Sequence, residues 1–485
     1  MANSSSSSLL AIPVTLPYNV RAGQRMVVAS DTVAVPVMIY GATSDVDGGV
    51  LTLQPGGAVT GTISFFGAGG VVNDQTGAAN AYRVYGGGGV LLLSGAGSSA
   101  TFANTQNNWA SVYGDDVSLT LQGAQLNVYG GGDVVSLSSG EGDSVSLHGG
   151  ASQWNTVQGD GGLTVLASGS ASVLGASNTI YAASGTWLSL YATDAGADLV
   201  NASAASVILN AASARVTGGG NALFTSGPGA LTLSGTAGNW DGVYGSDETI
   251  SLLNAQAAIS GGDDTITATA GSWMSLYATN GRPDSVTASY ANIILTAAAA
   301  SVVGGGDVLY TVGACALTLS GTAGAWDTVH ASGAQIVATQ AQVSIFGGGN
   351  VVTASNSTVS LYATAGVADT VTGANNCLAL ADAAATLNGQ NDSVYLFGDS
   401  AVTLLGGYDA VYAVSHFGNA SVTGFDATDV LHLSASQGPD FATLLSSGAL
   451  AQNGADTMLQ LDASHVLTLK GVTQSTLTAA QFAFG

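Results

Sequence analysis

Hydrophobic and polar residues alternate with period two in short runs along most of the chain. After Asp307 the runs read VLYTV, ALTLS, TVHAS, QIVAT and QVSIF, each closed off by Gly, Ala, Asn or Asp. Such alternation predicts strands with one buried face, and the small or polar residues between them predict tight turns. No segment sustains the period of an amphipathic helix.

The runs recur. WLSLYAT starts at Trp187, WMSLYAT at Trp273 and VSLYAT at Val359, at steps of 86 and 85 residues between the shared Ser-Leu-Tyr. ALTLSGTAGNWD from Ala230 returns as ALTLSGTAGAWD from Ala316, again 86 residues on. The two phrases align with each other at half that step, Leu233 with Leu276 and Asp241 with Asp284. A turn ending in Asp or Asn, mostly Gly-rich, marks the same period at Asp133, Asn178, Asn221, Asp264, Asp307, Asn350 and Asp392. The expected fold is an all-β parallel β-solenoid, a β-helix or β-roll, of units of about 43 residues. Two alternating flavours give an 86-residue super-repeat. Asp and Asn steps of 20 and 23 residues (Asn221, Asp241, Asp264, Asp284) suggest two coils per unit. Five strands per unit is the other reading, and it would bring the same phrase back to the same face after 86 residues. The expected division is an irregular N-terminal segment or cap at 1–85, the repeat array at 86–415 and a C-terminal segment at 416–485.

Composition narrows the function. The chain has 69 Gly, 30 acids and six Lys plus Arg among 485 residues, for a net charge of −24. Six cations cannot neutralise a nucleic-acid backbone, and the same sign argument excludes anionic membranes as partners. A hydrophobic share of 46% argues against disorder. No run of 18 apolar residues exists, so no transmembrane helix is expected. The start, MANSSSSSLLAIPVTLPYNV, lacks a basic region, and Pro13 and Pro17 break its apolar stretch, unlike an ordinary signal peptide. Cys315 and Cys377 read as small buried hydrophobes rather than a disulfide.

The last 70 residues leave the repeat. GFDATDVLHLSA from Gly424, GADTMLQLDASHVLTLKGV from Gly454 and LTAAQFAF from Leu477 resemble the C-terminal region of type I secreted repeats-in-toxin (RTX) proteins with haemolysin-type repeats. GGYDAVYAV from Gly406 resembles half of their calcium-binding nonapeptide. The resemblance implies an uncleaved C-terminal secretion signal, export by type I secretion machinery and folding on calcium outside the cell. The array itself departs from the family, because tandem G-G-x-G-x-D repeats are missing and Asn stands for Asp at Asn178, Asn221 and Asn350.

Calcium takes six to eight oxygen ligands, so its candidate sites are where acids cluster. These are Asp115 with Asp116, Asp263 with Asp264, Asp307 in its Gly-rich turn, Asp392 with Asp409, and Asp426 with Asp429. Asp at turns is also ordinary turn chemistry. Tyr191, Trp240, Tyr277 and Trp326 recur at repeat positions and form a candidate glycan-binding or assembly surface, against the plainer reading of packing. None of the five histidines forms HExxH, and no G-x-S-x-G elbow or P-loop occurs. A lyase or epimerase would need basic residues near carboxylates, and the regular array holds only Arg215 and Arg282. An enzyme is not expected. Nor is ice binding, because ITATA from Ile266 and LTLSGT from Leu231 do not read as one Thr-x-Thr face. A chain that offers one surface many times suits self-assembly or multivalent adhesion. The expected function is therefore a secreted, calcium-responsive structural protein that assembles with itself at the bacterial cell surface as a layer, fibre or biofilm matrix. A solenoid adhesin for surface polysaccharide is the alternative.

Overall fold

The computed structural model describes residues 18–485 apart from short stretches at 29–31, 34–36, 41–48, 60–61, 67–68, 104–107, 139–141, 150–152, 192–195, 236–237, 278–280, 322–323, 363–365, 414–415 and 439. The Ser-rich start of the chain lies outside the described residues. The chain divides into two compact units, Met1–Tyr244 and Gly245–Gly485. Each is a parallel β-solenoid in which every regular coil gives one strand to each of two sheets.

In the first unit, Ser206–Asn210 lies between Trp187–Tyr191 and Ala222–Ser226. The second sheet sets Ala214–Thr217 between Asp198–Ala202 and Ala230–Ser234. In the second unit, Asn292–Thr296 lies between Trp273–Tyr277 and Val308–Val312, and Ala316–Ser320 between Ala299–Val303 and Gln335–Thr339. Regular coils of the second unit take 16 to 20 residues, as in the steps from Thr249 to Thr265 and from Thr265 to Ser285. The period-two pattern explains the register. Leu317 and Leu319 are 1% and 0% exposed while Thr318 between them faces out. A slip of one residue would exchange the two sets, so the buried face fixes the pairing. Full burial of each such Leu, Ile or Val contributes about 1.5–3 kcal/mol relative to exposure.

The structural repeat is the coil rather than the 43-residue unit. Trp273–Tyr277 and Ala316–Ser320, equivalent in the 43-residue alignment, lie in opposite sheets of the second unit. Trp187–Tyr191 and Ala230–Ser234 do the same in the first. Two coils per 43 residues is therefore not what the chain adopts. Parallel pairing also takes in much of the segment expected to be irregular. Tyr18–Val20 pairs with Val37–Tyr40, and Arg25–Val28 with Val50–Leu53. Near the C-terminus Asn419–Thr423 pairs in parallel with Val466–Lys470, which turns the sheet antiparallel through Asp456–Gln460 and Leu450–Asn453. The α-helix Phe441–Ser446 starts on Asp440, whose carboxylate accepts the Thr443 N–H at 2.7 Å. Among the described residues no helix is long and apolar enough to cross a membrane. Cys315 is buried and Cys377 partly buried, and both are free thiols.

Candidate functional site: buried acid rows and stacked aromatics

The Gly-rich turns deliver an Asp or Asn side chain into the corner of the solenoid, where it bridges coils. Asp307 is fully buried, its Oδ1 accepts the Ala291 N–H at 2.8 Å, and its own N–H donates to Asp327 Oδ1 at 3.0 Å. Asp264 repeats this with the Glu248 N–H and Asp284 at 2.9 and 3.1 Å. Asn350 does so with Ala334 and Asp369, and Asn221 with Ala205 and Asp241. Each arrangement is a doublet on adjacent coils, made of a turn residue and a partner about 20 residues later.

The doublets hold one strained element. Oδ1 is satisfied by a backbone N–H, but Oδ2 of Asp133, Asp241, Asp264, Asp307, Asp327 and Asp369 is buried with no hydrogen-bond partner. Where Asn stands in the row, its amide finds a use. Asn221 Nδ2 donates to Ala202 O at 3.1 Å and Asn350 Nδ2 to Ala331 O at 3.2 Å. An Asp can copy that bond only when protonated. Burial without an opposite charge favours the neutral acid. Burial pushes Asp327 and Asp284 up to about 7, with the charges of Asp307 and Asp264 adding to it. Asp241 and Asp369, paired with Asn, rise through burial to about 6. Asn155 already occupies the second position of a doublet and donates to Gly130 O at 3.3 Å. Asp327→Asn should therefore raise the urea midpoint at pH 8 and change it little at pH 5. A loss of stability at pH 8 would contradict the protonated reading.

The sequence-based metal candidates separate into two groups. Asp264, Asp307, Asp392, Asp409 and Asp429 are buried. Asp392 accepts the Asn376 N–H at 2.7 Å, Asp409 that of Asp392 at 3.0 Å, and Asp429 that of Asp409 at 3.0 Å. Asp115, Asp116, Asp263 and Asp426 are exposed. Asp115 accepts the Gly131 N–H, Asp263 is ion-paired with Arg282, and Asp426 accepts the Thr428 N–H and hydroxyl. Neighbours in sequence such as Asp263 and Asp264 thus point to different surroundings. Among the described residues no group of three or more His, Cys, Asp or Glu side chains is placed to hold a metal ion. In the buried rows a backbone N–H holds Oδ1 of each acid, which leaves one oxygen, Oδ2, unpartnered on Asp264, Asp307, Asp392 and Asp409, where calcium takes six to eight. Spacing alone named Asp241, Asp284 and Asp327 as coil markers but gave no sign of their burial. The signal was there in the hydrophobic residue two positions on, Val243, Val286 or Val329, which continues the inward alternation.

Aromatic rings form a second kind of row. On one sheet of the second unit Tyr310, His330, Phe346 and Tyr362 stack face to face with centroids 4.9, 5.1 and 4.7 Å apart. Tyr395, Tyr412 and His432 do so at 4.3 and 4.2 Å, and Tyr113, Tyr129 and His148 in the first unit at 4.3 and 4.6 Å. Each pair adds about 0.5–1.5 kcal/mol beyond its buried area. Rings stacked this way spend their faces on each other. Of the four residues named from sequence, Tyr191, Tyr277 and Trp326 are exposed and Trp240 is half-buried. Tyr191 and Tyr277 end strands, whereas Trp240 and Trp326 directly precede Asp241 and Asp327, so these positions do not form one row.

No protein-family model matches the chain, and no curated protein is detectably similar to it.

Proposed function

We propose that the protein is a secreted structural protein whose copies associate side by side at a bacterial cell surface, as a layer, fibre or matrix. The observation that carries this reading is the chemistry of the sheet faces. Among the described residues, outward strand positions of the second unit from Thr249 to Thr423 carry no Asp, Glu, Lys or Arg, on a chain of net charge −24. The acids sit in turns or in the buried corner rows. Broad uncharged faces favour face-to-face contact, while the charged turns repel. Neutralising the turns releases that repulsion. In this reading calcium acts by bridging exposed carboxylates such as Asp115, Asp116 and Asp263 on neighbouring copies, and the buried rows take no part. Export through type I machinery rests on the RTX resemblance of the C-terminal segment. The 86-residue sequence period, read as five coils, would set the repeat of the lateral contacts.

Electron microscopy and light scattering of the purified protein, with calcium and with a chelator, test the proposal. Ordered sheets or filaments with calcium are expected. Single particles under both conditions, and at pH 5, would overturn it. The exposure of Tyr277 and Trp326 favours a second reading, an adhesin for surface polysaccharide. It requires sugar-dependent retention on a polysaccharide column that Trp326→Ala removes.

A further inference from the structure

The second unit has two outward faces of different chemistry. One sheet presents the aromatic stack from Tyr310 to Tyr362. The other presents short hydroxyl side chains in register. Thr249 pairs with Thr265, Thr265 with Ser285, Ser285 with Ser301 and Ser301 with Thr318. Val337 follows, then Thr353 and Thr372. Two residues along each strand a second column runs beside the first, with Ser251, Thr267, Thr287, Ser320, Thr339 and Ser355 broken only by Val303. Between the columns Ile250, Ile266, Val286, Val302 and Leu319 point inward and are fully or almost fully buried. From sequence, ITATA is set against LTLSGT from Leu231, which lies in the first unit; within the second unit the comparison is with the copy of that phrase at Leu317. Thr265 and Thr267 share one sheet face with Thr318 and Ser320, because every coil between them keeps the same register.

The columns make a two-dimensional lattice. Its repeat is about 4.8 Å across strands and about 7 Å along them. Over seven coil steps it extends roughly 34 Å. Both interruptions are Val, which keeps the shape of Thr and loses one hydroxyl. No charged side chain stands on the lattice. A Thr hydroxyl anchors a water by a hydrogen bond, while its methyl group orders water without binding it. Repeated at fixed intervals, the two effects hold a water layer in register. The oxygen spacings of ice lie close to both repeats.

We infer that this hydroxyl face binds ice. Crystalline polysaccharide, the other flat lattice of oxygens, fits less well, because sugar faces are gripped by aromatic faces and the aromatics of this unit stand on the opposite sheet. The opposite sheet is also a control built into the same coils, with the same pitch and without the hydroxyl columns.

Ice-affinity partition of the full-length protein, with crystal habit viewed in a cold stage, tests the inference. The wild type should concentrate in slowly grown ice and facet the crystals. Thr267→Lys with Thr353→Lys should return the protein to the liquid at an unchanged circular-dichroism spectrum, and single Thr353→Lys serves if the double variant melts lower. Thr328→Lys, on the aromatic sheet, should leave partition intact. Three results would overturn the inference: wild-type protein left in the liquid like an inert control, equal loss in Thr328→Lys, or binding to microcrystalline cellulose in place of ice. Partition is read on protein that elutes as a single copy, so failure of assembly leaves the result unaffected.

Discussion

Both units should melt at a higher temperature at pH 4.5 than at pH 8, opposite to a protein held by paired carboxylates. The cause is the set of buried acids whose pKa values burial raises above 3.8, to about 7 for Asp133, Asp284 and Asp327 and about 6 for Asp198, Asp241, Asp369 and Asp409. The native state binds protons more tightly than the unfolded chain. Their contribution is fully present below the unfolded value near 3.8 and is lost as pH rises through 6 to 7. Discounted for solvent screening, each group contributes on the order of 1–2 kcal/mol. Several such groups in one cooperative unit shift the midpoint by about 10 °C or more. The opposite trend belongs to acids held charged by hydrogen bonds, such as Asp74, Asp426 and Asp462, the last at about 2. Their support is lost only as pH falls through their depressed values, so the optimum lies near pH 4 to 5. Thermal melts followed by circular dichroism across pH 3 to 9 measure this. A midpoint at pH 8 equal to or above that at pH 4.5 would rule the account out.

The solenoid was legible in sequence because each strand repeats the same inward alternation and each turn the same Gly and Asp. Leu317 and Leu319 could be placed inside without any structure. The coil was not legible. The strongest sequence signal, the phrase at Ala230 and Ala316, comes back to the same kind of strand after 86 residues, but the 43-residue half-step to Trp273 exchanges the two sheets. An alignment cannot tell a strand from its counterpart on the opposite sheet when both have one face in and one face out. The same ambiguity hid the hydroxyl face. ITATA and ALTLS look unrelated along the chain, and only the register that sets Thr265 on Ser285, Ser285 on Ser301 and Ser301 on Thr318 puts them on one surface. The acid rows failed for another reason. Asp263 and Asp264 are adjacent letters, but backbone direction at the turn sends one to solvent and the other into the corner.

Gly304→Ala should cost about 3 kcal/mol or more and lower the urea midpoint sharply, whereas Gly333→Ala should cost about 1 kcal/mol. Gly333 has a left-handed φ of 69°, and a methyl group there would meet nothing within 4 Å. Gly304, at φ 137°, would set its methyl 1.6 Å from the Ala288 carbonyl oxygen of the preceding coil. The coil cannot retreat, because the Gly304 N–H already bonds Ser320 O at 3.2 Å on the next coil. The same clash arises three residues before the first acid or amide of a doublet, but not at Gly238, Gly281, Gly324 or Gly366, three before Asp241, Asp284, Asp327 and Asp369, where a methyl would meet nothing within 4 Å. A methyl on Gly130, Gly218, Gly261, Gly347, Gly373 or Gly389 would lie 1.5–2.1 Å from a carbonyl oxygen one coil back. The residue just before the acid is different. It is Gly306 in one turn and Asp263, Ser177, Asn375 or Asn391 in others, all near φ 60–80°. That position asks only for left-handed backbone, which a small polar residue supplies at modest cost. The earlier glycine admits no side chain at all, so it persists in turns where the later one has been replaced. Comparable midpoints for Gly304→Ala and Gly333→Ala would show that coil spacing yields, and that close stacking is not what fixes glycine in these turns.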